Sequence, residues 1–150
     1  LRRLSETCIG DINKLYKQQG IDFEAAWFPV FYLLGRHSTL SVNDLAETLS
    51  TSHSAASQLV AKLQKKGLLK ALADNTDNRK KMIAFTARGR RLYMQIQPVW
   101  NALRQAMNEL LAESKATRQL APALTALEQA LAAKPVYQRM HEQLQPQPLP

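Results

Sequence analysis

The stretch "SHSAASQLVAKLQKKG", residues 52–67, is small or hydroxylated at one end and cationic at the other. Five of its first six side chains are Ser or Ala, and it closes on Lys62, Lys65, Lys66 and Gly67. Ala56, Leu59, Val60 and Leu63 recur at helical spacing, so one face is apolar. Ser52 can cap the helix start, and Gly67 can end it, with lysines in the last turn where the dipole favours them. A helix made only to fill a core needs no such asymmetry. Its sparse end fits a close approach to another surface.

Working outward, "LSVNDLAETLS" (40–50) carries Ser41 and Asp44 three apart, the spacing of a capping box, and a stripe of Leu45, Ala46 and Leu49. "STS" (50–52) separates the two helices. On the other side, "LLKALA" (68–73) and "KMIAFT" (81–86) read as short strands joined by the turn-rich "DNTDNRK" (74–80). Two short helices, a tight turn and a basic-tipped β-hairpin describe a winged helix-turn-helix.

The flanks are helical, which makes the fold class mainly α with a small β-hairpin wing. Leu1, Leu4, Cys8, Ile12 and Leu15 mark an amphipathic helix to about residue 18, stopped by Gly20. A second helix is expected from an Asp22 N-cap to Gly35, with Pro29 kinking it or resetting its start. Thr86 should cap a long helix over 87–113, burying Leu92, Ile96, Trp100, Leu103, Met107 and Leu110 and bent at Pro98. Another helix is expected over 118–133, with Leu120, Leu124, Leu127 and Leu131 on one side. One or two further turns should precede the Pro/Gln tail at 146–150, which reads as disordered or as a cut linker. The expected organisation is therefore 1–20 and 114–145 as a helical dimerisation region, 21–92 as the winged domain, and 87–113 as a connecting helix. The terminal helices have little else to pack on, and a two-fold homodimer would cover them.

Charge points to the partner. Residues 53–91 hold ten Lys/Arg against Asp74 and Asp77, while the rest of the chain holds ten basic and ten acidic residues. The formal +8 thus sits in the helix-turn-helix and hairpin, the footprint of a polyanion binder. At the sparse helix start, Ser52, Ser54 and Ser57 can donate to phosphates or bases. His53 and Gln58 reach base edges, Gln pairing bidentately with adenine, and Lys62 suits backbone phosphate. Arg79 at the hairpin tip fits a minor groove, with Asp77 near enough to orient it, and Lys80 and Lys81 suit phosphate. An ordinary solvated polar face is the plainer reading of these residues.

Residues 40–92 resemble the MarR family of transcriptional regulators. Its wing pattern of aspartate, arginine, aspartate and arginine is met by Asp74, Asp77 and Arg79, with Thr76 in place of the first arginine, which removes one contact. "FTARGRRL" (85–92) is similar to the family's threonine–glycine entry into the connecting helix. The resemblance implies a homodimer on a pseudo-palindromic operator in double-stranded DNA, with half-sites ~34 Å apart. It also implies a repressor released by a small aromatic or acidic effector. Trp27, Phe31, Tyr32, Arg36 and Trp100 are the candidates to line that site, although aromatics at this spacing also build plain core. A peroxide-sensing branch of the family uses a first-helix cysteine. Cys8 instead lies on the apolar stripe, with no tyrosine within a turn, and reads as a buried, inert thiol.

No enzyme is expected. His37, His53 and His141 are scattered, the five glycines form no phosphate loop, and neither a metal site nor a cofactor is implied. One cysteine excludes an internal disulfide, and without a leader or a membrane-length apolar run the expected compartment is the cytoplasm, with no membrane partner. The chain opens at Leu1 and reads as trimmed or as part of something longer. The alternative from another class is a winged-helix module that binds protein or RNA.

Overall fold

The structure, a computed structural model, describes residues 2–72 and 82–144. The chain forms two compact units, Leu1–Trp100 and Asn101–Pro150. In the first, α1 (Arg2–Gln18) is followed by a 3-10 turn (Ala25–Trp27), α2 (Phe28–His37), β1 (Thr39–Ser41), α3 (Val42–Thr48) and α4 (His53–Lys65). Strands β2 (Leu69–Leu72) and β3 (Met82–Phe85) then lead into α5 (Ala87–Ala112), which runs from the first unit into the second. The second unit continues with α6 (Lys115–Arg118), α7 (Leu120–Ala133) and α8 (Val136–Leu144).

Pro29 resets the start of α2. It sits in the first turn, where its missing N–H is not needed, and Ala25–Trp27 form a separate 3-10 turn before it. The expected Asp22 cap is therefore not used. Asn13 of α1 instead accepts from the Ala25 N–H at 2.7 Å, pinning this connection. Ser41 caps α3 by the reciprocal box with Asp44, its Oγ accepting from Asp44 N at 3.0 Å. The helix-turn-helix turn places Ser50 at φ 48°, a left-handed conformation that lets Thr51 N reach back to Ala46 O at 3.0 Å.

The sheet has three strands, not the two of the expected hairpin. β3 lies in the centre, paired antiparallel with both β2 and β1 (order β1-β3-β2). The edge strand β1 is only Thr39–Ser41, too short to show an alternation, and its last residue is also the cap of α3. Beneath it, Trp27, Val30, Phe31, Leu34, Leu45, Leu63, Ile83 and Ile96 form a fully buried core, with Phe23 meeting Tyr16, Trp27 and Phe31 edge-to-face. Tyr16 Oη accepts from Trp100 Nε1 at 2.8 Å. Burial pushes the Tyr16 phenol up, and the Trp100 hydrogen bond lowers it by less.

Helix α5 enters through Thr86. Its Oγ takes the Gly89 N–H at 3.0 Å and reaches Gly67 O at 2.6 Å, while Gly67 itself ends the α4 region at φ 71°. Of the expected buried face, Ile96 is enclosed and Leu92 and Trp100 are half-buried, but Leu110 is exposed. The helix is continuous through Pro98. The helix expected over 118–133 is α7, and the short α6 with its own Ser114 box precedes it. The one or two turns expected beyond it are the nine residues of α8, and Arg139 caps α7 by donating to Ala130 O and Lys134 O, both at 2.9 Å.

Candidate nucleic-acid interface

Helix α4 is presented by its cap. Ser52, extended at ψ 148°, accepts from Ala55 N at 3.2 Å, so its oxygen is engaged while its hydroxyl proton stays available to donate. Ala56, Val60 and Leu63 face the core, which turns the opposite face to solvent. Ser54, Ser57, Gln58, Ala61 and Lys65 all lie there, and His53 is exposed at the start. Gln58 Nε2 donates to Ser54 Oγ at 3.4 Å, a long contact that inclines its amide along the helix. Small side chains thus alternate with hydrogen-bonding ones on a single open face.

Lys62 departs from expectation. Its ammonium donates to both carboxylate oxygens of Glu24, at 2.9 and 3.2 Å, and sits 5.5 Å from the centre of the Trp27 ring. Lys66 pairs with Asp22 at 3.4 Å and lies 4.9 Å from the same ring. Trp27 Nε1 has no hydrogen-bond partner among the described residues, and both ammonium groups lie over the face of its ring. Two of the three lysines of this region are therefore tied to the segment before α2. Lys65, which was not among the expected contacts, is the lysine in line with Ser54, Gln58 and Ala61. The i, i+4, i+7, i+11 spacing of these four was the signal for it. Arg79, Lys80 and Lys81, with the whole segment 73–81, lie outside the described residues. The strands that flank it are in register, Leu72 opposite Met82.

The effector candidates separate. Trp27 and Phe31 are fully buried in the core. Tyr32 is exposed and stacks on Phe28 at 5.5 Å, and Arg36 Nη1 donates to Tyr32 Oη at 2.9 Å with its guanidinium 5.6 Å from the ring. Trp100 meets Phe28 edge-on at 4.8 Å. Tyr32, Arg36 and Trp100 thus share one aromatic ledge with Phe28. A cleft of about 260 Å³ is lined by other residues, among them Asp22, Arg88, Arg91 and Gln95. Cys8 is half-buried, more accessible than its apolar stripe implied. Among the described residues no three His, Cys, Asp or Glu are grouped to hold a metal, and no helix is long and apolar enough to cross a membrane.

A capped helix-turn-helix beside a three-stranded sheet, with the second helix open along one face, defines a winged helix-turn-helix protein. Residues 21–80 match the family model described as "MarR family". The chain is 27% identical over 93 residues to the HTH-type transcriptional regulator YfiV of Bacillus subtilis (strain 168). That match covers 62% of this chain and spans just over half, 56%, of the relative's length. In fold, the chain is similar to S. aureus MepR in complex with DNA, with a TM-score of 0.74 at 23% identity over 87% of this chain and 94% of that one. It is similar to a mutant MarR from E. coli complexed with operator DNA (TM-score 0.64, 24% identity, 87% and 93% covered). It also resembles NadR in complex with 4-hydroxyphenylacetate (TM-score 0.62, 23% identity, 88% and 89% covered).

Proposed function

We propose that this chain is a double-stranded DNA-binding transcriptional regulator that works as a homodimer on a pseudo-palindromic site. The observation that carries this is the open face of α4, where Ser54, Ser57, Gln58, Ala61 and Lys65 are exposed together at the capped end of a helix. Small residues let the backbone come close to base edges, Gln58 offers a bidentate amide, and Lys65 supplies a charge for phosphate. Ser52 and His53 stand at the helix start, where backbone N–H groups favour phosphate oxygen. Arg79, Lys80 and Lys81 add three positive charges to the same stretch of sequence.

The homodimer is supported by the second unit. None of the residues of α6, α7 and α8 is buried, yet Leu127, Leu131, Val136, Tyr137, Met140 and Leu144 are large and apolar. Such a patch on a soluble chain calls for a partner, and a second copy offers the matching surface. The effector reading, a repressor released by a small aromatic acid, is supported by the ledge of Phe28, Tyr32 and Trp100 beside the Arg36 guanidinium.

The test is selection from genomic fragments with the purified protein, followed by titration of the recovered duplex at several salt concentrations. A dimer making about 6–10 phosphate contacts loses roughly 10³–10⁵-fold in affinity between ~50 and ~200 mM salt. Binding that is flat with salt, or indifferent between duplex and single strand, points to a protein- or RNA-binding module instead.

A further inference from the structure

The pairing of Glu24 with Lys62 spans 38 residues of sequence and joins two half-exposed side chains. Glu24 is held from both sides: Ala25 N is fixed to Asn13 of α1 at 2.7 Å, and Trp27 N donates to Glu24 O at 2.9 Å. Phe23, next to it, is anchored in the core. The carboxylate therefore arrives at α4 on a fixed backbone. The Lys62 ammonium donates to both carboxylate oxygens of Glu24, and the centre of the Trp27 ring is 5.5 Å from it. A phosphate oxygen at that nitrogen competes with the carboxylate, because the two anions repel each other when they share one ammonium. Asp22 stands in the same relation to Lys66, with both contacts at 3.4 Å.

We infer that Glu24 is a resident competitor for DNA phosphate at Lys62, and so a determinant of DNA affinity and of its salt dependence. The inference rests on the DNA-binding reading above. It places a brake on the recognition helix within the chain itself: Lys62 contributes to binding only when Glu24 lets go.

The test is anisotropy titration of a fluorescein-labelled duplex of mixed sequence by the whole chain across a salt series. Glu24→Gln keeps the shape and removes the charge. It should bind more tightly than wild type, with a slope of log K against log salt steeper by ~0.9 per protomer, the value of one added phosphate contact. Adding Lys62→Gln to it should restore the wild-type slope. Weaker or unchanged binding by Glu24→Gln overturns the inference, because a carboxylate that merely orients Lys62 toward DNA gives that sign. Should Glu24→Gln fail to fold, Lys62→Gln alone decides: the wild-type slope is expected to persist, and a slope shallower by ~0.9 overturns the inference. A wild type that binds no duplex overturns the function and this inference together. A wild type with a normal slope that Glu24→Gln does not change overturns the inference alone.

Discussion

Gly89 shows how much one missing Cβ carries. A methyl group there would run into the Leu68 carbonyl, which is backbone and which already accepts from Thr86 N at 3.0 Å. Neither partner can swing away as a side-chain tip would. Gly89→Ala should therefore cost about 1–3 kcal/mol, read as a lower urea midpoint. Gly10, in the exposed middle of α1, has open space around it, so Gly10→Ala should add ~0.5–1 kcal/mol of stability through helix propensity alone, read as a higher urea midpoint. Equal effects at the two sites would remove the close approach as the reason for Gly89. Tyr16 adds a pH effect. Its folded pKa is raised, so the stability it lends is complete below the unfolded phenol value of ~10 and is lost as pH climbs through the higher folded value. Melting temperature should then fall at alkaline pH, and Tyr16→Phe should flatten that edge while costing ~1 kcal/mol at neutral pH for the lost Trp100 bond. A Phe variant with the same alkaline edge would assign it to other groups.

The elements were legible where a local rule decides them. Ser41 with Asp44, Ser52, Gly67 and Thr86 each announce a helix end by hydrogen bonds spanning a few residues, and all act in the structure as their positions foretold. The apolar spacing of Ala56, Val60 and Leu63 likewise fixed which face of α4 is open. Strand β1 was hidden because three residues cannot show a period, and it exists only because β3 offers an edge some forty residues later. The pairing of Lys62 was hidden for the same reason, since nothing within a few residues marks Glu24 as its partner. The function of α4 follows from this division. Ser52→Ala removes the cap and should cost ~1 kcal/mol of stability. Lys65→Gln should leave stability nearly unchanged while making the salt slope of DNA binding shallower by ~0.9 per protomer. A Lys65→Gln slope equal to wild type would move the contact elsewhere on the basic segment.

The winged unit has a dense core, while the unit Asn101–Pro150 has none of its own among the described residues, and that contrast bears on assembly. The sequence suggested that α1 belongs with the C-terminal helices, but its second half joins the winged core through Tyr16 and Ile12, leaving Leu4 and Ile9 exposed nearer the start. The stripe of Leu120, Leu124, Leu127 and Leu131 on α7 is the strongest candidate for a self-complementary face, because three of its four residues are exposed. Leu127 is 51% exposed in the single chain, so a charged residue there should barely trouble the fold of that chain. Across a two-fold face the same charge meets apolar side chains of the other copy, and near the axis it meets its own image. Leu127→Glu should thus keep its helical circular dichroism and sediment with half the wild-type mass. Affinity for a two-half-site duplex should then drop by about 10²–10⁴-fold, because the second recognition helix no longer benefits from the effective concentration that tethering provides. Affinity for a single half-site should be unchanged. A wild type that sediments as a monomer, or a Leu127→Glu variant that keeps both its mass and its two-site affinity, would place the assembly face away from α7.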